Sequence, residues 1–555
     1  MIKTYKILIS LIVLGSFAIS QIGAQVPKWE WAKRYGGSEG VKEGNSIIID
    51  NNNNIYIAGS FYTDLKIENT TITATKFKDL FIGKFDESGN LIWIRSAGGP
   101  VGDNAASLTL LDNFLYVLGS FDYQISFGSI NLQTDLTGSI FLAKYNLDGN
   151  LIWAHYAGPG GSGACITRLN IINDKKKYLY LSGCMIHEQV KSNIVKSSND
   201  NLFIAKYDTT GSQVWVKQYG GNSFAGSRSV VYDNCGYIYN TGYFNDTLIF
   251  GEAPFTQVTL ISKGDRDTYI SKHDSTGKMV WVKQLGGELA DVSNSIVTDS
   301  INDIYITGSF YGTADFLDTT LISNGECDAY VLKLDSSGNR KWIKQIGSTG
   351  IDFGRFICVD HTQQLYFIGN FQKTISIADT FLTSTSTYEY ASNAFISKFN
   401  STGDFMWVKQ IGSSWDRING LIPMDNDIAY LTGSLQYTTV YLDDIILPPK
   451  GPADFFLAKI NGAISSIEVP NEEFFVKLFP NPTKKILNIQ INSKHPDNLL
   501  LEIYSITGKL YFYKQLYISS SEFQEEFDLG NLPGGIYFVV IKGNLLNKTE
   551  KIIII

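Results

Sequence analysis

The side chains of this sequence whose spacing could do chemistry are acids and arginines. An aspartate recurs at Asp103, Asp291, Asp352 and Asp416, each just ahead of an apolar run, so the four share one phase of a repeating text. Three places further on stand Asn294 and Arg355, with Asn45 and Arg228 in equivalent places. If folding brings equal phases together, such residues form a ring of charge suited to a cation, a sugar or the basic tip of a partner. The competing reading is structural. An aspartate ahead of a strand caps a loop by accepting backbone N–H bonds, and for the four aspartates this reading is the stronger one. Arg228 and Arg355 recur less regularly, which makes them the better binding candidates.

Other chemistries find little support. His155, His187, His273, His361 and His495 fall in different phases, so repetition brings no two of them together. With no histidine recurring in phase, neither a zinc site nor a Ser-His-Asp constellation is proposed. Glycoside hydrolysis needs two acids in different roles at about 5–10 Å, and acids repeated by symmetry are poorly suited to that division. The five cysteines, Cys165, Cys184, Cys235, Cys327 and Cys358, show no metal-type spacing. Cys165 and Cys184 fall on neighbouring strands of one repeat and could pair in an oxidising compartment. No cofactor is implied; calcium stays an unsupported alternative at the aspartate turns described next.

The elements that would position these residues are written in the repeat. Tryptophans recur at Trp31, Trp93, Trp153, Trp215, Trp281, Trp342 and Trp407. Two further markers also count to seven, a strand ending in glycine (IYIAGSF at 55, IYITGSF at 304) and a segment before each turn (LFIGKF at 80, FFLAKI at 455). Each unit reads as four short strands. The last two are joined by a turn such as Asp86-Glu-Ser-Gly89 or Asp274-Ser-Thr-Gly277, in which the acid opens the turn and glycine takes the positive φ. That explains every copy without calcium. Four strands repeated seven times predict a seven-bladed β-propeller over 26–462. The spacing exceeds that of common propeller repeats, and the excess lies between the second and third strands, as in 63–78 and 313–327. The N-terminal Trp31 strand comes alone and the last repeat lacks its own, so 28–35 is expected beside 455–460, closing the ring. The third repeat departs most from the pattern, with Cys165, Arg168 and His187.

The segments GGELADVSNSIVTDSINDIYITGSF (286–310) and IDFGRFICVDHTQQLYFIGNF (351–371) resemble bacterial β-propeller repeats of the SBBP type. That resemblance implies a fold and an exported location, with no shared reaction. Two other propeller motifs fail. The sialidase turn S-x-D-x-G-x-x-W does not match Asp86-x-x-Gly89-x-x-x-Trp93, and the quinoprotein-like Thr210-Gly-Ser-Gln-Val-Trp215 is not kept by most repeats.

The two ends carry addresses. Lys3 and Lys6, then the apolar run 7–19 and small residues up to Ala24, read as a signal peptide over 1–24. The chain's net charge of −8 becomes about −10 without those lysines, which argues against nucleic acid. A linker (463–470) leads to alternating strands with proline, glycine and asparagine turns, expected to form a small immunoglobulin-like β-sandwich. Phe479-Pro-Asn-Pro482, Ile506-Thr-Gly508-Lys509, Leu532-Pro-Gly-Gly-Ile-Tyr537 and the end Lys551–Ile555 resemble a type A sorting domain of the type IX secretion system, over 471–555. The resemblance implies a Bacteroidota-type source, passage through the periplasm, interaction with that secretion machinery, removal of the domain and display outside the outer membrane. The fold class is thus all-β. The expected function is a non-enzymatic surface or secreted module that binds a glycan or a protein. A polysaccharide hydrolase or lyase at the channel mouth and a structural scaffold are the alternatives.

Overall fold

The computed structural model describes residues 26–37, 39–159, 168–185, 201–251, 257–378, 380–384, 392–412, 416–424, 427–462, 474–493, 497–505, 509–518, 523–542 and 547–555. The expected signal peptide (1–24), the linker (463–470), Cys165 and His187 lie outside them. The chain forms two compact units, Met1–Gly462 and Ala463–Ile555. Both are all-β, and among the described residues no helix is long and apolar enough to cross a membrane.

In the first unit each sequence repeat becomes four antiparallel strands. The first is typical: Lys42–Ile49, Ile55–Ile67, Thr70–Phe85 and Leu91–Ala97 pair in chain order. Two neighbouring groups merge into one eight-stranded sheet through Gly286–Asp315 and Gly287–Ala314. The second and third strands are buried along most of their length, as at Ile55–Phe61 and Leu80–Gly83. Strands covered on both faces read as continuous apolar runs rather than alternation, which is why IYIAGSF and LFIGKF stood out as markers. The extra length between these strands is a hairpin. In some repeats it prolongs the two strands, as in Ile304–Asp315 with Thr320–Leu334. In others it is a separate pair such as Gln124–Phe127 with Ile130–Gln133.

The first strands of the groups are Lys42–Ile49, Asn104–Leu111, Asn170–Asn173, Ala225–Tyr232, Val292–Thr298, Phe353–Val359 and Arg417–Pro423. Each packs beside the next, and Arg417–Pro423 packs beside Lys42–Ile49. The last group takes its fourth strand from the other end of the chain. Lys28–Tyr35 pairs antiparallel with Ala453–Asn461, from Lys28 opposite Asn461 to Tyr35 opposite Phe455.

Neighbouring groups are locked through the Asp-to-Gly turn. In the first repeat Asp86 Oδ1 accepts the amides of Ser88 (2.9 Å) and Asn90 (2.7 Å), and Gly89 sits at φ 73°. A side-chain oxygen at the first position, from aspartate or, as at Asn146 and Asn400, asparagine, and a glycine at the fourth are thus required by the turn itself. The turn of one group then receives the tryptophan and lysine of the group before it. Trp93 Nε1 and Lys84 Nζ both donate to the Leu147 carbonyl, at 3.1 and 3.3 Å. Trp215 Nε1 and Lys206 Nζ do the same to Ser275, at 3.3 and 3.2 Å. Each lysine lies over a buried tyrosine, as Lys84 does over Tyr56 at 5.2 Å, a cation–π contact that suits a cation partly removed from water.

The second unit holds a three-stranded sheet (Phe474–Phe479, Ile486–Ser493, Phe523–Asp528) and a four-stranded one (Asp497–Ser505, Leu510–Ile518, Gly535–Lys542, Asn547–Ile554). One apolar cluster containing Leu487, Ile489, Leu501, Ile503, Val539 and Ile552 draws on both sheets.

Candidate functional site

The first strands share an irregularity, and it builds the site. The ladder to the second strand slips by one residue at Asn45, Ala106, Arg228, Asn294, Arg355 and Asn419. A β-bulge leaves one residue unpaired and re-aims its side chain. These residues, with Asn170 one place beyond the equivalent position, line a cavity of about 310 Å3. The asparagines bridge to the next first strand. Asn45 Nδ2 donates to Ala105 O (2.9 Å), Asn170 Nδ2 to Arg228 O (2.8 Å), Asn294 Nδ2 to Gly354 O (2.7 Å) and Asn419 Nδ2 to Gly44 O (3.0 Å). At three of these bulges, Asn45, Asn294 and Asn419, the extra residue is a cross-strand tie, whereas Ala106, Arg228 and Arg355 make no such tie.

Arg228 lies with its guanidinium 4.7 Å from the centre of the Tyr243 ring. Its Nε and Nη1 are shielded from solvent and have no hydrogen-bond partner. Arg355 stacks on Phe353 at 4.8 Å and donates from Nε to Asn370 Oδ1 at 3.1 Å. Burial, then the nearby Arg417 and Arg228 guanidinium groups, lower the Arg355 pKa to about 10. Burial lowers that of Arg228 too, with Arg266 acting in the same direction and Tyr243 against it. Arg168 and Arg417 complete the basic lining, and Glu43 is the sole carboxylate in it among the described residues. An adjoining cavity of about 320 Å3 shares Arg168, Arg228 and Arg355 and adds Arg266 and Tyr311. A larger space of about 1200 Å3 continues along the first strands past Ile47, Leu108, Ile171, Ile296 and Leu421. The site is a basic, asparagine-rimmed end of this larger space between the first strands.

The four recurring aspartates are placed differently from the two arginines. Asp103, Asp291, Asp352 and Asp416 are buried and hold loops. Asp291 Oδ2 accepts the Gly287 amide (2.7 Å) and its Oδ1 the Tyr311 amide (3.2 Å). Asp352 accepts from the amides of Ser348 (2.5 Å) and Gln372 (3.1 Å), and Asp416 from that of Gln436 (2.7 Å). Asp103 accepts only the Gly99 amide (2.6 Å), and its Oδ1 is buried without a partner. Desolvation accordingly raises these carboxyls, to about 8 for Asp103, about 7 for Asp291 and about 6 for Asp352. They serve as backbone clamps on the loops that enter the first strands.

Arg266 and Arg417 escape a reading by repeat phase, because Arg266 stands just ahead of a third strand and Arg417 two residues ahead of the bulge. A simpler signal was present: the chain has only eight arginines among 46 basic residues, and five of them, Arg168, Arg228, Arg266, Arg355 and Arg417, line these two cavities. Among the described residues no group of histidine, cysteine, aspartate and glutamate could hold a metal ion. Cys184 is disulfide-bonded, whereas Cys235, Cys327 and Cys358 are free.

Residues 477–555 match the secretion system C-terminal sorting domain, and residues 30–60 and 280–309 match the SBBP beta-propeller repeat. The chain carries both. The sorting domain directs export to the cell surface or medium and implies an interaction with the type IX secretion machinery. An uncharacterized WD repeat-containing protein of Acanthamoeba polyphaga mimivirus is 25% identical over 409 residues, 59% of this chain and 29% of its own length. The chain thus spans under a third of that relative. Among solved structures, a polysaccharide lyase (PL25 ulvan lyase) matches with TM-score 0.32 and 10% identity, over 70% of this chain and 88% of its own. A Trypanosoma rangeli sialidase matches with TM-score 0.29 and 6% identity, over 84% and 86%.

Proposed function

We propose that this protein is a cell-surface or secreted binding module without catalytic activity. It is a closed seven-bladed β-propeller whose ligand enters at the arginine-lined end of the central channel, delivered by an immunoglobulin-like sorting domain. The ring is supported by first strands that each pack on the next, by the Asn419-to-Gly44 tie and by the pairing of Lys28–Tyr35 with Ala453–Asn461. The observation that carries the binding role is a single one. Side chains from all these first strands converge on one cavity, and two of them are arginines where a plain cross-strand tie would be an asparagine. A cavity of about 310 Å3 falls at the small end of ligand sites. With Glu43 as its one carboxylate, it lacks the acid pair of a glycosidase.

The test is thermal melting of the mature protein against a panel of polysaccharides, neutral and acidic, with analysis of products. A ligand at 100 times its Kd adds about 2.7 kcal/mol of apparent stability. Stabilisation with no released product is expected. Released product would replace this reading with an enzyme, and melting unmoved by the whole panel would leave a scaffold.

A further inference from the structure

The arginine end of the bore has the wrong side chains for a structural role. Where asparagine occupies the bulge, at Asn45, Asn294 and Asn419, it ties two first strands together, so the fold has a working solution at that position. Arg228 gives up the tie and leaves two solvent-shielded N–H groups with nothing to bond. A buried donor without an acceptor is costly, and bringing the Arg228 and Arg417 guanidinium groups close enough to Arg355 to lower its pKa adds to the cost. Among the described residues two carboxylates face five arginines: Glu43 is alone in the first lining, and Asp265 in the second already lies 3.9 Å from Arg266. A chain of net charge −8 that favours lysine elsewhere has gathered five of its eight arginines here. Lysine would supply charge alone; the arginine fork supplies paired, planar donors matched to an oxyanion.

The rim adds a second requirement. The amides of Asn45, Asn170, Asn294 and Asn419 spend their N–H groups on backbone carbonyls, so each keeps a side-chain oxygen as an acceptor. Acceptors serve hydroxyl groups, not the oxyanion itself. Phe353, Phe356 and Tyr311 offer apolar faces beside them. Oxyanion donors ringed by hydroxyl acceptors in two sugar-sized cavities describe one ligand chemistry.

We propose that this end of the molecule binds an acidic saccharide, with Arg228 and Arg355 gripping a carboxylate or sulfate ester on one sugar unit and Arg168, Arg266 and Arg417 drawing the chain to the mouth. The inference rests on the binding-module reading and names the ligand class of that same site. Uronate carboxylates and sulfate esters share this chemistry, and the assay separates them.

The experiment is calorimetric titration of the mature protein at low salt with trigalacturonate, with a sulfated disaccharide, and with neutral maltotriose. At least one acidic probe binds while maltotriose does not, and the arm that responds identifies the anion. Arg228→Gln and Arg355→Gln each weaken that binding at least tenfold. Arg355→Lys, which keeps the charge and loses the fork, recovers only part of it. Melting of each unliganded variant near the parent temperature separates lost recognition from lost folding. Unchanged acidic binding in folded Arg228→Gln and Arg355→Gln variants would overturn the inference, as would a DNA oligonucleotide binding as tightly as the saccharides. If maltotriose binds as well as the acidic probes and the substitutions abolish it, the binding site stands and the acidic ligand falls. If no saccharide binds the parent, both fall.

Discussion

At the residue scale the molecule uses carboxylates for structure and guanidinium groups for its cavity. Asp103 shows the cost of the first use, since one of its oxygens is buried with no partner and its carboxyl is raised to about 8. Desolvation dominates, with Asp79 and Asp122 adding and Lys78 opposing. A carboxyl whose folded pKa lies above its unfolded value binds protons more tightly when folded, so its contribution is present below about 4 and is lost as pH rises through about 8. An asparagine at this position would keep an acceptor for Gly99 and remove the charge. The Asp103→Asn variant should therefore gain in melting temperature over the parent steadily between pH 5 and 9, with little difference at pH 4.5. A gap that does not widen with pH would mean that the carboxylate has a partner in solution. The phase of these aspartates, and of Arg228 and Arg355, could be read directly from the repeats. The guanidinium cluster could not, because Arg168, Arg266 and Arg417 hold other phases and meet the pair only through the curvature that brings separate groups around one bore.

At the element scale the repeated text records contacts between groups more than within them. The tryptophan, the lysine and the turn glycine recur at fixed places because one group's Trp–Lys pair sits on the next group's turn. A β-carbon on Gly89 would come within 2.6 Å of the Trp31 ring, and its φ of 73° disfavours any side chain. Gly128 also has a positive φ, 64°, with open space around it. Gly89→Ala should thus suffer both backbone strain and overpacking, about 2–4 kcal/mol in all, whereas Gly128→Ala should lose about 1 kcal/mol. Urea unfolding midpoints at constant m-value measure both. Equal losses at the two sites would mean that the tryptophan yields and the turn packing matters little. The strand count, the turn chemistry and the hairpin excursions were legible because each is local. Which turn meets which tryptophan is not, since the partners lie a full repeat apart.

At the scale of the whole molecule, the first and last segments of the propeller unit have to find each other, and one residue shows how the repeat was adapted for this. In two groups a glutamine after the tryptophan reaches an aspartate of the third strand. Gln284 Nε2 donates to Asp267 at 2.5 Å and Gln345 Nε2 to Asp328 at 2.6 Å. In the group completed by the N-terminal strand, Arg34 takes the glutamine's place. Its Nε donates to Asp454 Oδ2 at 2.7 Å, and its other nitrogens reach the carbonyls of Leu435, Leu447 and Thr438. The pair is almost wholly buried, at 1% and 0% exposure. An amide-to-carboxylate tie within one continuous segment has become an ion pair between segments about 400 residues apart, held by bonds to three further carbonyls. Removing one partner of a buried pair leaves the other unpaired at a cost of about 3–5 kcal/mol. Arg34→Ala should lower stability by that order and loosen Lys28–Tyr35, baring the edge of Ala453–Asn461 for proteolysis and self-association. Arg34→Gln should recover much of the loss, because it restores the amide-to-carboxylate bond that two other groups already use with their own aspartates. Melting, limited proteolysis and light scattering on the parent and both variants decide it. If Arg34→Ala melts with the parent and resists protease equally, the terminal strand is held by its backbone ladder alone. The proposed ring would then close without its charged latch.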